Sequence, residues 1–141
     1  MFVIRALPKT MSRLFRVQRV NRELMKMAWK NSKFFRLSFI LALVFWLIVL
    51  VTPLLRLLPG AEQGLYIPLH YNVFFGVDKF GPWYSVFQLP AFGLIVLFFN
   101  IYLSIRFFER EPVLSKFFIF LALLIQIMLL AAMYFTVLLN M

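Results

Sequence analysis

The sequence predicts an all-α integral membrane protein: three transmembrane helices preceded by a basic amphipathic N-terminal helix. Three observations predict it. Leu37 to Leu55, LSFILALVFWLIVLVTPLL, runs nineteen residues without a formal charge. At ~1.5 Å per residue such a helix reaches about 28 Å, close to the ~30 Å hydrocarbon core of a bilayer. Two later stretches, about 83–105 and 117–139, are equally apolar. Finally, the chain is 64% hydrophobic and only 14% charged over 141 residues, with a mean hydropathy of +0.92. A soluble domain of that size and composition would expose too much apolar surface to stay dispersed.

Residues 1–36 form the tail and 37–141 the membrane domain. Of the fifteen Lys and Arg in the chain, ten precede the first span: Arg5, Lys9, Arg13, Arg16, Arg19, Arg22, Lys26, Lys30, Lys33 and Arg36. Only Glu23 opposes them. Spaced three or four apart, they fall from Arg5 to Lys33 within one half of a helical wheel. The other half gathers Leu7, Met11, Leu14, Val17, Leu24, Met25, Ala28 and Trp29. Pro8 delays the helix and Thr10 or Ser12 can cap it, so an amphipathic helix is expected over about 10–30, with a bend at Asn31-Ser32. Its apolar face is expected in the headgroup boundary. Anionic lipid is the first expected partner, an acidic protein surface the second and nucleic acid the third, since the tail has no nucleic-acid-binding fold.

The first span is expected to end at Pro53, Arg56 and Pro59-Gly60, with the hydroxyls of Ser38 and Thr52 returned to the helix's own carbonyls. Residues 56–82 form an aromatic loop, in which 65–74 is strand-like and Gly76–Lys79 suits a turn, giving a short hairpin on the membrane surface. Trp83 and Tyr84 sit where an aromatic belt would open the second span, and Pro90 is expected to kink it. Arg106, Arg110 and Lys116 mark a polar turn, with Pro112 suited to opening the third span. Ser38 and Ala42 form a small-xxx-small pair, and Asn100 and Gln126 are candidates for interhelical hydrogen bonds.

Orientation follows from the distribution of Lys and Arg. The tail and the 106–116 turn carry thirteen and the 56–82 loop two, which puts tail and turn in the cytoplasm and loop and C-terminus outside. The tail is too long for a signal peptide's n-region and no A-x-A site follows, so a retained anchor is expected. The Arg-rich, acid-poor start also resembles a mitochondrial presequence, which makes the mitochondrial inner membrane the alternative compartment.

Catalysis has little to work with. There is no cysteine and one histidine, His70. That excludes disulfides and thiolate sites, and leaves too few ligands for a metal or any other cofactor. A nucleophile–base pair would have to join His70 to Ser85 or Tyr71, which no spacing favours. No charge lies inside a span, so the usual mark of a proton relay or ion path is missing. A protein that is not an enzyme is expected.

Within the loop, Pro68-Leu69-His70-Tyr71-Asn72, followed by Asp78 and Gly81, resembles the P-x-H-[FYW]-N…D-x-x-G motif of small bacterial membrane proteins in the family containing the sporulation-delaying-toxin immunity proteins. The resemblance covers about residues 37–105. It implies a bacterial cytoplasmic membrane, with His70, Asn72 and Asp78 organising the loop through hydrogen bonds. The leading expectation for function is a non-catalytic accessory subunit of a larger membrane assembly, or a homo-oligomer, docking through its polybasic tail. The alternatives are an immunity or sensor protein acting through residues 65–82, and a small oligomeric channel or carrier.

Overall fold

The computed structural model describes the backbone of residues 9–57 and 66–140, with side chains from Val20 onward. Four α-helices and one hairpin follow in the order α1 (Lys9–Asn31), α2 (Lys33–Arg56), β1 (Tyr66–Asn72), β2 (Gly76–Pro82), a short 3-10 helix (Trp83–Phe87), α3 (Gln88–Phe107) and α4 (Pro112–Leu138). Three segments are long and apolar enough to cross a membrane: α2, the continuous Trp83–Phe107 segment and α4. The fold is therefore mostly helical but not all-α, because two antiparallel strands stand in the loop.

The helices outrun the uncharged stretches that announce them. α2 begins at Lys33 rather than Leu37, capped by Ser32, whose Oγ accepts from Phe35 N at 3.1 Å. Ser32 alone interrupts the helix between α1 and α2, at the expected bend. α4 opens at Pro112, five residues before the apolar run, where the missing N–H would have no intrahelical partner in any case. The prolines of the first two spans lie near helix ends. Pro90 lies in the first turn of α3, just after the 3-10 helix, in the outer third of the Trp83–Phe107 segment where the kink is expected. Pro53 belongs with Arg56 to the group expected to close the span. It sits buried in the last turn, the helix runs on to Arg56, and Leu57 N still reaches Pro53 O at 3.0 Å. Thr52 returns its hydroxyl to Ile48 O at 2.6 Å, as expected.

Lipid tails are as apolar as leucine, so spans associate through close packing and hydrogen bonds rather than by apolar burial. The buried stripes reflect that. Along α2 run Phe35, Ser38, Ala42, Val49 and Pro53; on α4 the stripe includes Ser115, Ile119, Ala122, Gln126 and Met133. Ser38 and Ala42 thus face the bundle. The opposite faces are apolar and exposed, for example Ile40, Val44, Ile95, Phe98 and Met128.

Two packed clusters lie at opposite ends. One joins Leu24 and Ala28 of α1 to Phe35, Ile101, Ile105 and Ile119. The other joins Val49, Leu57, Val86, Leu129 and Met133, with Ile67 and Leu69 of the hairpin packed against it. The tail helix and the polar turn therefore share one end of the bundle, and the hairpin occupies the other.

Candidate functional site

At the hairpin end, a three-residue turn, Val73–Phe75, joins the strands, so the turn lies before Gly76 and not over 76–79. Asn72 sets it: its Oδ1 accepts from Phe74 N at 2.9 Å, an Asx turn that nucleates the reversal. The register pairs Tyr66 with Pro82 and Asn72 with Gly76, but is disturbed in the middle, where His70 faces Lys79 and Leu69 and Asp78 have no partner. Consecutive strand residues normally point to opposite faces. The irregularity lets Asp78 also reach the histidine, and His70 Nδ1 lies 2.6 Å from Asp78 Oδ1. Both side chains are partly open to solvent.

The other motif residues fix the hairpin to the bundle. Pro68 O accepts from Asn140 Nδ2 at 2.8 Å, and the same amide donates to Thr136 O at 2.7 Å. Gly81 is buried; a Cβ there would come 2.5 Å from Leu69 Cδ1, so an added side chain would make that methyl shift from its place under the hairpin. Tyr71 is exposed beside the turn.

Between β1 and the ends of α3 and α4 lies a cavity of about 580 Å³, lined by Leu69, His70, Tyr71, Leu89, Phe135 and Leu139 among others. A second, of about 300 Å³, shares Leu69, His70, Leu89 and Thr136 and adds Lys79, Ser85, Gln88 and Phe92. Together they make a groove with an apolar floor and a polar rim. Asp78 and His70 form an oriented carboxylate–imidazole pair, and Ser85 lines the same groove. Among the described residues no hydrogen bond joins Ser85 to His70, and no group of three or more His, Cys, Asp or Glu could hold a metal ion.

At the other end, Leu24 and Ala28 are buried against the bundle, and Trp29 meets Phe39 edge-on at 5.7 Å. Part of the apolar face expected in the headgroup boundary is thus committed to α2 and α3. Arg22, Lys26, Lys30 and Lys33 remain exposed and Arg36 half-buried. Lys26 Nζ bonds Glu23 Oε1 at 2.9 Å, an exposed pair that leaves the edge cationic. Arg5 lies outside the described residues, as do the side chains of Lys9, Arg13, Arg16 and Arg19.

Between these ends, α3 is tied to both neighbours. Gln126 Nε2 donates to Gly93 O at 2.9 Å and Trp46 Nε1 to Pro90 O at 2.9 Å. A Cβ on Gly93 would meet Leu129 Cδ1 at 2.9 Å and Gln126 Oε1 at 3.0 Å, so glycine is what permits this approach. Asn100 departs from expectation: its Nδ2 donates to Val96 O of its own helix at 2.9 Å, which satisfies the amide without a neighbour. Sequence reasoning missed Trp46 and a serine clasp. Ser104 Oγ donates to Ser115 O at 2.8 Å, and Ser115 Oγ to Ser104 O at 2.7 Å. No sequence signal separates these serines from ordinary helix hydroxyls. No family model, curated protein or solved structure matches the chain.

Proposed function

We propose that this chain is a non-catalytic accessory subunit of a bacterial inner-membrane assembly, held with its N-terminus in the cytoplasm and its C-terminus outside. The observation that carries the reading is the mounting of α1. Leu24 and Ala28 fasten the helix to the bundle, which fixes the direction in which Arg22, Lys26, Lys30 and Lys33 present their charge. A tail that served only as a solvated leader would need no such seat. The cationic edge lies at the same end as the 108–111 turn, and together these regions carry most of the chain's Lys and Arg; that supports the cytoplasmic assignment. Anionic headgroups or an acidic subunit would meet this edge. Each basic side chain near an anionic leaflet contributes about 1 kcal/mol.

The test is purification in mild detergent from the native cell, comparing the wild type with a variant carrying Arg22→Gln, Lys26→Gln, Lys30→Gln and Lys33→Gln. A stoichiometric partner recovered with the wild type, and lost from the variant or at raised salt, is the expected result. Recovery of the wild type alone, or a partner retained equally by both, removes the accessory-subunit reading.

A second reading, the immunity or sensor protein implied by the loop resemblance, draws support from Asn140. Its amide donates hydrogen bonds to both Pro68 O and Thr136 O and so links the hairpin to α4; a ligand displacing the hairpin would then pull on that helix. Substituting His70, Asn72 and Asp78 should then abolish the response while leaving tail-dependent association intact.

A further inference from the structure

We propose that the groove under the hairpin is a binding site for one anionic phospholipid, drawn from the leaflet beside it, with its phosphate at the His70–Lys79 rim and an acyl chain along α4. The proposal rests on the membrane reading above, but not on the direction of insertion.

Size and shape come first. A cavity of about 580 Å³ adjoining one of about 300 Å³ lies in the ~300–1,000 Å³ range of small-ligand sites. The floor and mouth are apolar: Leu89 and Leu139 line the interior, while Phe92 and Phe135 also stand on the exposed outer surface. A groove bordered by lipid-facing side chains opens sideways to hydrocarbon. Acyl chains are the material already at its mouth.

The rim then selects the headgroup. His70 lines both cavities, and its Nδ1 is taken by Asp78 at 2.6 Å, so Nε2 is the ring nitrogen left for a ligand. Lys79, the cross-strand partner of His70, brings a cation to the same rim. Ser85 and Gln88 add a hydroxyl and an amide, and among the described residues no hydrogen bond engages either side chain. The hairpin's one carboxylate, Asp78, is already engaged by His70. Among the described residues the rim offers a cation, the free imidazole nitrogen and two neutral donor groups, with its single carboxylate turned to His70; such a set suits a phosphodiester. The disturbed strand register gains a purpose here. It turns Asp78 toward His70 while leaving Lys79 on the rim, an arrangement that regular alternation forbids.

The test is native mass spectrometry of the full chain released from micelles after equilibration with equal phosphatidylglycerol and phosphatidylcholine. The wild type should retain one phosphatidylglycerol in preference to phosphatidylcholine. Lys79→Glu, an exposed change that leaves the packing alone, should weaken that retention about tenfold, the loss expected for one charge-assisted hydrogen bond. Ala132→Phe, which fills the groove from α4, should abolish retention of either lipid. In the quadruple Gln variant of α1, which removes the headgroup contacts at the opposite end of the bundle, one phosphatidylglycerol should still be retained, and adding Lys79→Glu should weaken that retention as it does in the wild type. Selective retention that survives Lys79→Glu or Ala132→Phe overturns the proposal, as does equal retention of the two lipids or none. Vesicle flotation separates the two readings: a chain that does not float fails the membrane reading, whereas one that floats but retains no lipid fails only this one.

Discussion

Replacing Gln126 by Met should stabilise the helix bundle, although it deletes the hydrogen bond between α3 and α4. Gln126 is fully buried, and its two amide atoms have opposite fates. Nε2 donates to Gly93 O at 2.9 Å, while Oε1 is buried with no partner among the described residues. Interhelical bonds of the first kind are worth about 0.6 kcal/mol on average and up to ~1.7. An unsatisfied buried acceptor costs about 1–3 kcal/mol. Met keeps the unbranched shape and removes both atoms, so the balance favours the variant by roughly 0.5–2 kcal/mol. Gln126→Ala relieves the same acceptor but leaves a void opposite Gly93, which has no side chain to fill it; a cost of about 2 kcal/mol or more follows. Reversible unfolding of the three proteins in mixed micelles, followed by circular dichroism, gives the ranking Met, Gln, Ala. If Met destabilises the bundle by as much as Ala, Oε1 has a partner in the membrane, and the amide is a net source of stability.

Two further perturbations test other joints. Ser104→Ala and Ser115→Ala should each cost about 0.5–1.5 kcal/mol and add in the double variant, because each hydroxyl donates to the other residue's backbone carbonyl, which the partner substitution leaves in place; single variants as stable as the wild type would rule the clasp out. Gly81→Ala should displace the Leu69 methyl beneath the hairpin, since the new Cβ would sit 2.5 Å from Cδ1; hydrogen exchange across 66–82 should quicken while α3 and α4 keep their protection, and unchanged exchange would mean that this contact does not hold the strands.

The three helices long and apolar enough to cross a membrane were legible because hydropathy answers a question that one segment can answer alone: whether that segment tolerates hydrocarbon. Where a helix stops is a different question. Backbone hydrogen bonding continues past the apolar run, so α2 takes in Lys33 and Arg36, and α4 begins at Pro112, five residues before the run that announces it. Prolines follow the same logic, since the cost of a missing N–H depends on where the turn falls; Pro90 in a first turn and Pro53 in a last turn both escape the worst of it. At the hairpin, the residues singled out by the loop motif lie together, but the polar rim they form with Lys79, Ser85 and Gln88 required the strand irregularity and the ends of α3 and α4 to be placed.

Asn100 and Gln126 show the limit most directly. Each is a carboxamide within an apolar run, and nothing in its immediate sequence tells one from the other. Asn100, with the shorter side chain, finds Val96 O on its own helix. Gln126 reaches across because Gly93 leaves α3 without a Cβ at the facing position, thirty-three residues away in the chain. Their different roles are therefore a property of the pair of helices, set as much by a missing methyl group on α3 as by the amide on α4. It follows that Gly93→Val should break the Gln126 bond without touching Gln126 itself. The valine branches would press on Leu129 and Gln126 Oε1, already 2.9 and 3.0 Å from the first added carbon, and Trp46, 3.4 Å away on α2, would shift with them. With Trp29 and Trp83 replaced by Phe, Trp46 fluorescence should report that displacement; an unaltered spectrum together with unaltered stability would show that the close approach of α3 to α4 does not depend on glycine.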